Sequence, residues 1–276
     1  MSLRTVFLIA AKEWRDAGRN RWFVVVATLF ATLATGLSLL GMAGLGSLGI
    51  AGFGRTAASL LNLVLLIVPL MGLLLGAMSL PTEREQGTLA LLLAQPVTAA
   101  EVYLGKYCGS AAALGGALLV GFGLSGLVVS LRAGAEHLSD YAALVALTAF
   151  LGLACLSVGF LLSVFMRRSA TAVGGALFVW FALLVFSDLA LMGSAIVLEF
   201  SPQELFWLVA ANPVQAFKLA ASGTLQRSLE AFGAAGAYAA ETFGSGFIWV
   251  LGGVIFLWVA LPLGAGLLIF SRRCAE

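Results

Sequence analysis

Side chains that do chemistry are scarce in this chain. Among 276 residues there is one histidine, His137, there are three cysteines, and only 10% of residues are charged. A metal site built on two or more imidazoles or on paired thiolates is therefore excluded. Cys108, Cys155 and Cys274 are too isolated for a disulfide framework or a zinc motif. Met42, Met71, Met78, Met166 and Met192 share no spacing, which fits core packing better than thioether ligation. No Gly-x-x-x-x-Gly-Lys-Ser/Thr phosphate loop is present. Gly105-Lys106-Tyr107 lacks both the spaced first glycine and the magnesium-binding hydroxyl, so the chain cannot hydrolyse ATP by itself and no bound cofactor is expected. The net charge of +2 reflects basic flanks of apolar segments and gives no patch for nucleic acid.

What the chain does have is apolar length. Apolar residues make up 61% and the mean hydropathy is +1.06, outside the range of soluble domains. A bilayer core of roughly 30 Å needs about 20 apolar residues in a helix. Six segments qualify: Trp22–Gly44, Ala57–Leu80, Tyr107–Leu131, Tyr141–Met166, Thr171–Leu191 and Phe247–Phe270. Their runs are continuous rather than alternating, which selects helices over a β-barrel, and the glycines among them suit close helix packing. The fold class expected is an all-α integral membrane protein of six spans forming one domain over residues 1–276.

The basic residues set the orientation. Arg4, Lys12, Arg15, Arg19, Arg21, Arg84, Lys106, Arg167, Arg168, Arg272 and Arg273 would lie on one side, and Arg55, Arg132, Lys218 and Arg227 on the other. That bias places both termini in the cytoplasm. The first apolar run follows a charged segment and is long enough to span, so it reads as a helix rather than a cleavable signal.

Residues 1–21 have amphipathic spacing, with Leu3, Val6, Phe7, Ala10, Trp14 and Ala17 opposite Arg4, Lys12, Arg15, Asp16 and Arg19. They are expected to lie on the inner leaflet of the lipid bilayer. Residues 81–106 form a polar inner loop. Thr82-Glu-Arg-Glu85 and Thr98-Ala-Ala-Glu101 each have the spacing of a capping box, and each predicts the start of a short helix. Gly87 would break the first, Thr88–Ala94 would carry an apolar helix, and Gln95-Pro96 would end it. Leu89, Leu91, Leu92 and Leu93 are too apolar for a free aqueous loop and too short a run to span, so they need a protein surface or the membrane face to cover them.

On the outer side, residues 192–246 contain Ser201-Pro-Gln-Glu204 and Asn212-Pro213, two helix starts. A helix from Pro213 would end at Gly223, and a third would run from Leu225 to Ala240. Phe200, Leu205, Phe206, Trp207 and Phe217 would turn aromatic faces to the outer leaflet or a partner. The fifth span is long enough to bend near Asp188, a possible intramembrane polar site. Apart from it, no clear charge falls within the predicted spans. Gly123-Leu-Ser125-Gly126 matches the Gly-x-Ser-Gly of rhomboid-type intramembrane serine proteases, but the single imidazole, His137, falls in the outer loop after the same helix rather than on a facing span.

The run Glu83-Arg-Glu-Gln-Gly-Thr-Leu-Ala-Leu-Leu-Leu-Ala-Gln-Pro, together with Lys12-Glu-Trp-Arg15 and Arg19-Asn-Arg-Trp-Phe23, resembles ABC-2 type transporter permeases. Asn212-Pro-Val-Gln-Ala-Phe-Lys-Leu219 is similar to a motif in the branch of that family serving nitrous oxide reductase maturation. The resemblance implies a homodimer of this chain in the bacterial inner membrane, two cytoplasmic ABC ATPase subunits carrying ATP and Mg, and a periplasmic β-helical copper-maturation protein. A generic exporter of drugs, lipids or glycans is the alternative. On this reading Glu83, Arg84, Glu85, Gly87, Thr88, Leu89, Leu92 and Leu93 would couple to the ATPase. The three charges would set register, and the leucines would supply most of the affinity. Glu204, Phe206, Trp207, Asn212, Pro213, Phe217 and Lys218 would dock the periplasmic partner.

Overall fold

Eleven α-helices lie among the residues that the computed structural model describes, 2–42, 50–133, 138–189, 201–224 and 233–275. They are α1 (Leu3–Arg19), α2 (Arg21–Met42), α3 (Ile50–Glu85), α4 (Thr88–Leu93), α5 (Ala99–Ala133), α6 (Leu138–Phe165), α7 (Ser169–Phe181), α8 (Pro202–Ala210), α9 (Pro213–Thr224), α10 (Gly233–Phe243) and α11 (Phe247–Ala275). Helices α2, α3, α5, α6 and α11, and α7 with its helical continuation to Leu189, are long and apolar enough to cross a membrane. The six expected spans are therefore present, each close to its predicted position.

Helices α3 and α6 form the centre. They meet where both are small: a methyl at Gly76 would come within 2.5 Å of the Leu156 carbonyl, and one at Gly159 would come equally close to that of Leu73. With lipid as apolar as leucine, such backbone approach is what holds spans together. α5 and α11 join α6 through Tyr103, fully buried with its ring 5.6 Å from Phe160 and 5.7 Å from Phe270. α7 is fixed on α3 by the Trp180 indole, which donates to the Leu66 carbonyl at 3.0 Å. Pro69 and Pro81 lie inside α3 without ending it, as neighbouring spans permit.

The inner loop departs from expectation at its start. Thr82–Glu85 is the last turn of α3, not the first turn of a new helix. Pro81 is accommodated, and the break comes at Gly87, whose φ of 71° is left-handed and suits a residue without a side chain. The second capping box forms, with Glu101 N donating to Thr98 Oγ1 at 3.3 Å and Thr98 N to Glu101 Oε2 at 2.9 Å, but it opens the long helix α5 and not a short one.

On the other side of the bundle, Ser201 and Glu204 form the expected capping box with Pro202 in the first turn of α8, and these backbone and hydroxyl donors hold the Glu204 carboxyl below its ordinary pKa. α9 runs one residue past Gly223. α10 begins at Gly233; residues 225–232 of the third expected helix, and Phe200 and His137, lie outside the described residues.

Candidate functional site

The end of α3 carries Glu83, Arg84 and Glu85 in succession, and each reaches a different part of the bundle. Glu83 turns inward to α5 and α1. Lys106 of α5 is 1% exposed, and its Nζ lies 2.5 Å from Glu13 Oε1 and 3.1 Å from Glu83 Oε1. Lys12 Nζ donates to the same Glu83 oxygen at 2.6 Å and lies 3.7 Å from Asp16 Oδ2. Two cations and three carboxylates in alternation thus tie three helices together, beside a polar cavity of about 570 Å³. Burial raises the Glu13 carboxyl above its ordinary pKa despite the opposing charge of Lys106. Burial pulls Lys12 down, but its hydrogen bond to Glu83 and the surrounding carboxylates lift it above its usual value.

Arg84 and Glu85 go the other way. Arg84 Nη1 donates to the Met166 carbonyl at 2.8 Å, with those of Val164 and Ser163 at 3.4 and 3.5 Å. This is the end of α6, where the last carbonyls have no helical partner and a cation is favoured. Glu85 accepts from Ser169 N at 3.0 Å and from the Ser169 hydroxyl, which places a carboxylate on the first turn of α7. The three charges expected to set the register of an external partner are thus engaged within the chain, with Glu83 buried.

α1 is drawn into the same corner. Ile9 and Ala17 are buried and the helix packs on α5, where a methyl at Gly109 would meet the Ala10 carbonyl at 2.5 Å. Glu101 also accepts from the Ser2 amide. Leu3, Phe7, Leu8 and Trp14 stay exposed.

Gly87 then turns the chain into α4, and its leucines divide. Leu89 is buried, and Leu92 and Leu93 are half-buried against the core. Leu91, part of the same run but not among the leucines expected to couple to the ATPase, is 70% exposed. Gly87, Thr88, Gln86, Gln95 and Pro96 are exposed around it. A helical wheel of six residues could have separated Leu91 from Leu89 and Leu92, had the buried side been known.

The outer motif is also an internal clamp. Ahead of Asp188, α7 continues into a π-helical turn, Ala182–Phe186, which is the departure expected of the fifth span. Asn212 caps α9, accepting from Val214 N at 2.9 Å, and its Nδ2 donates to the Leu183 carbonyl in that turn at 2.9 Å. Gln215 Nε2 donates to Ser187 Oγ at 3.0 Å and to Asp188 Oδ1 at 2.5 Å, and Lys218 Nζ lies 3.5 Å from the same oxygen. Asn212, Gln215 and Lys218 recur at three-residue spacing, so one face of α9 grips the end of α7. Asp188 is exposed and paired rather than buried and alone. Phe206 and Phe217 are buried inside the chain rather than turned outward, and Pro213 is buried beside them in sequence; Phe206 packs on Trp207, Tyr238 and Phe243. Glu204 and Trp207 are exposed.

Among the described residues no three His, Cys, Asp or Glu side chains gather as metal ligands. Ser125 is buried, with its hydroxyl 2.6 Å from that of Ser38.

Comparison with known proteins places this architecture. Residues 7–274 match the family model of the ABC-2 family transporter protein. The chain is 32% identical over 277 aligned residues to the probable ABC transporter permease protein NosY of Stutzerimonas stutzeri, covering 98% of this chain and 99% of that one. It is 33% identical over 220 residues to the protein of the same description from Pseudomonas aeruginosa, covering 78% and 80%. A six-span helical bundle matched over nearly its whole length in this way belongs to the ABC-2 family of transporter permeases, and is a non-catalytic membrane subunit.

Proposed function

We propose that this chain is the inner-membrane subunit through which a separate pair of cytoplasmic ATPase subunits, carrying ATP and Mg, does work across the membrane. The observation that carries the reading is the adjacency of an exposed leucine on a short helix to three charges that grip separate helices. Leu91, ringed by Gln86, Thr88, Gln95 and Pro96, is the docking face, and Leu89, Leu92 and Leu93 seat α4 on the bundle. A push on α4 reaches Gly87 and the end of α3 within a few residues. From there Glu83 passes it to α1 and α5, Arg84 to α6 and Glu85 to α7. The chain acts as a homodimer with its termini and α4 in the cytoplasm, where α1 lies along the inner leaflet.

The work proposed is maturation of the copper–sulfur centre of nitrous oxide reductase, on the strength of the likeness to two NosY permeases and of the Asn212–Leu219 motif. A periplasmic β-helical partner would meet α8 at Glu204 and Trp207, with Asn212, Gln215 and Lys218 holding the end of α7 ready to move with it. The test of coupling is Leu91→Asp in the complete transporter. ATP hydrolysis would persist while delivery of active, copper-loaded reductase is lost; normal maturation with this variant would refute the docking face. Unchanged copper content of the reductase in cells lacking this chain would favour a generic exporter instead.

A further inference from the structure

The inner ends of α3, α6, α7 and α11 border a second cavity, of whose lining residues only Arg84 and Glu85 enter the proposed coupling. It has a volume of about 380 Å³ and is lined by Arg84, Glu85, Arg167 and Arg273. Three guanidiniums face one carboxylate, and that carboxylate is already committed to the Ser169 amide and hydroxyl. Arg84 and Arg273 are each anchored on the end of α6. Arg273 Nη1 donates to the Val164 carbonyl at 2.8 Å, and its guanidinium carbon lies 5.3 Å from the centre of the Phe165 ring. Their like charges are thus held together by the fold. Arg167 has no hydrogen bond or ion pair among the described residues and is exposed.

A rigid site carrying two uncompensated positive charges calls for an anion with several acceptor oxygens, which planar guanidiniums recognise well. Its place in the fold indicates the source. α6 ends at Phe165, α7 begins at Ser169 and α11 ends at Ala275, so the cavity lies where three spans leave the hydrocarbon. Phosphate headgroups occupy that depth, and basic pockets between spans take anionic lipid heads. The first turn of α7 adds its amide dipole to the same side. We infer that this cavity is a binding site for the phosphate headgroup of an anionic phospholipid, with Arg167 as the ligand-dedicated residue and Arg84 and Arg273 as fixed walls. The site does not depend on α4 or on the proposed cargo.

The test uses the full chain purified in detergent and titrated with phosphatidylglycerol or phosphatidylcholine, with bound lipid read by native mass spectrometry. Phosphatidylglycerol should bind in preference, and Arg167→Gln should weaken it by about fivefold, the scale of one basic side chain at an anionic lipid. Arg273→Gln should weaken it further. Arg132→Gln, at the opposite end of α5, should leave it unchanged. Because Arg273 also holds the end of α6, Arg167→Gln decides the matter if the other variant fails to fold. Equal phosphatidylglycerol binding by wild type and Arg167→Gln would overturn the site. So would displacement of the lipid by an equal concentration of inorganic phosphate, or loss of ATPase assembly with lipid binding intact, which would assign the cavity to a free anion or an acidic protein surface.

Discussion

The two ends of the bundle solve the same problem with different materials. At the inner end, Glu83 and Lys106 are buried in a charge network that spans α1, α3 and α5. At the outer end, Asp188 and Lys218 are only partly covered, and neutral amides from Asn212 and Gln215 carry the clamp between α7 and α9. Buried charges have steep consequences when one partner is removed, whereas exposed pairs contribute little. The inner corner is therefore built to move as one piece, and the outer clamp can be released at low cost. The proposed coupling, a push taken at one end and a change of shape at the other, calls for that asymmetry.

The largest effect should come from the centre of the inner network. Lys106→Met would leave Glu13 and Glu83 buried with only Lys12 nearby, at a cost of about 3–5 kcal/mol, seen as a lower unfolding transition in detergent and easier proteolysis of α1. Adding Glu83→Gln should recover much of the loss; no recovery would mean the two do not share one network. Next is Leu91→Asp. Burying a leucine side chain contributes roughly 1.5–3 kcal/mol, so binding of the ATPase subunit to the membrane chain should weaken about tenfold or more by titration, with stability unchanged.

A smaller effect should follow pH. The Glu13 carboxyl is raised above its ordinary value of 4.5. Between that value and the raised one, the folded chain keeps a proton that the unfolded chain has lost, so stability falls as pH rises through the window. Thermal unfolding across mildly acidic pH should show this slope, and Glu13→Gln should flatten it. The smallest effect belongs to the outer clamp. Asp188→Asn keeps an acceptor for Gln215 and loses only an exposed ion pair, so stability should change by less than about 1 kcal/mol. A larger loss would erase the contrast between the two ends.

Much of the fold was legible because hydropathy is a local property. The six spans, the Ser201–Glu204 and Thr98–Glu101 boxes, the break at Gly87 and the irregular fifth span all follow from residues close together in sequence. The Thr82–Glu85 box was misleading because the same spacing fits the end of a helix that runs through Pro81. The partners of the Glu83-Arg-Glu85 triplet were invisible for a different reason. Lys12, Lys106, Met166 and Ser169 are brought to it by helix packing, and no periodicity encodes that. Reading Glu83 and Arg84 as surface charges followed from their place in a polar loop, whereas the packing of α1 against α5 turns that loop's edge into an interior. Leu91 was left out of the coupling set because a run of leucines gives no indication of which of them faces the bundle.

The central claim is that the Glu83–Lys106 link is a property of this chain alone and not of its complex with an ATPase. A double-mutant cycle with Glu83→Gln and Lys106→Met, measured by unfolding of the isolated chain in detergent, tests it directly. The account predicts strongly non-additive losses without any ATPase subunit present. Additive losses in the isolated chain, with coupling appearing only after the ATPase is added, would contradict it.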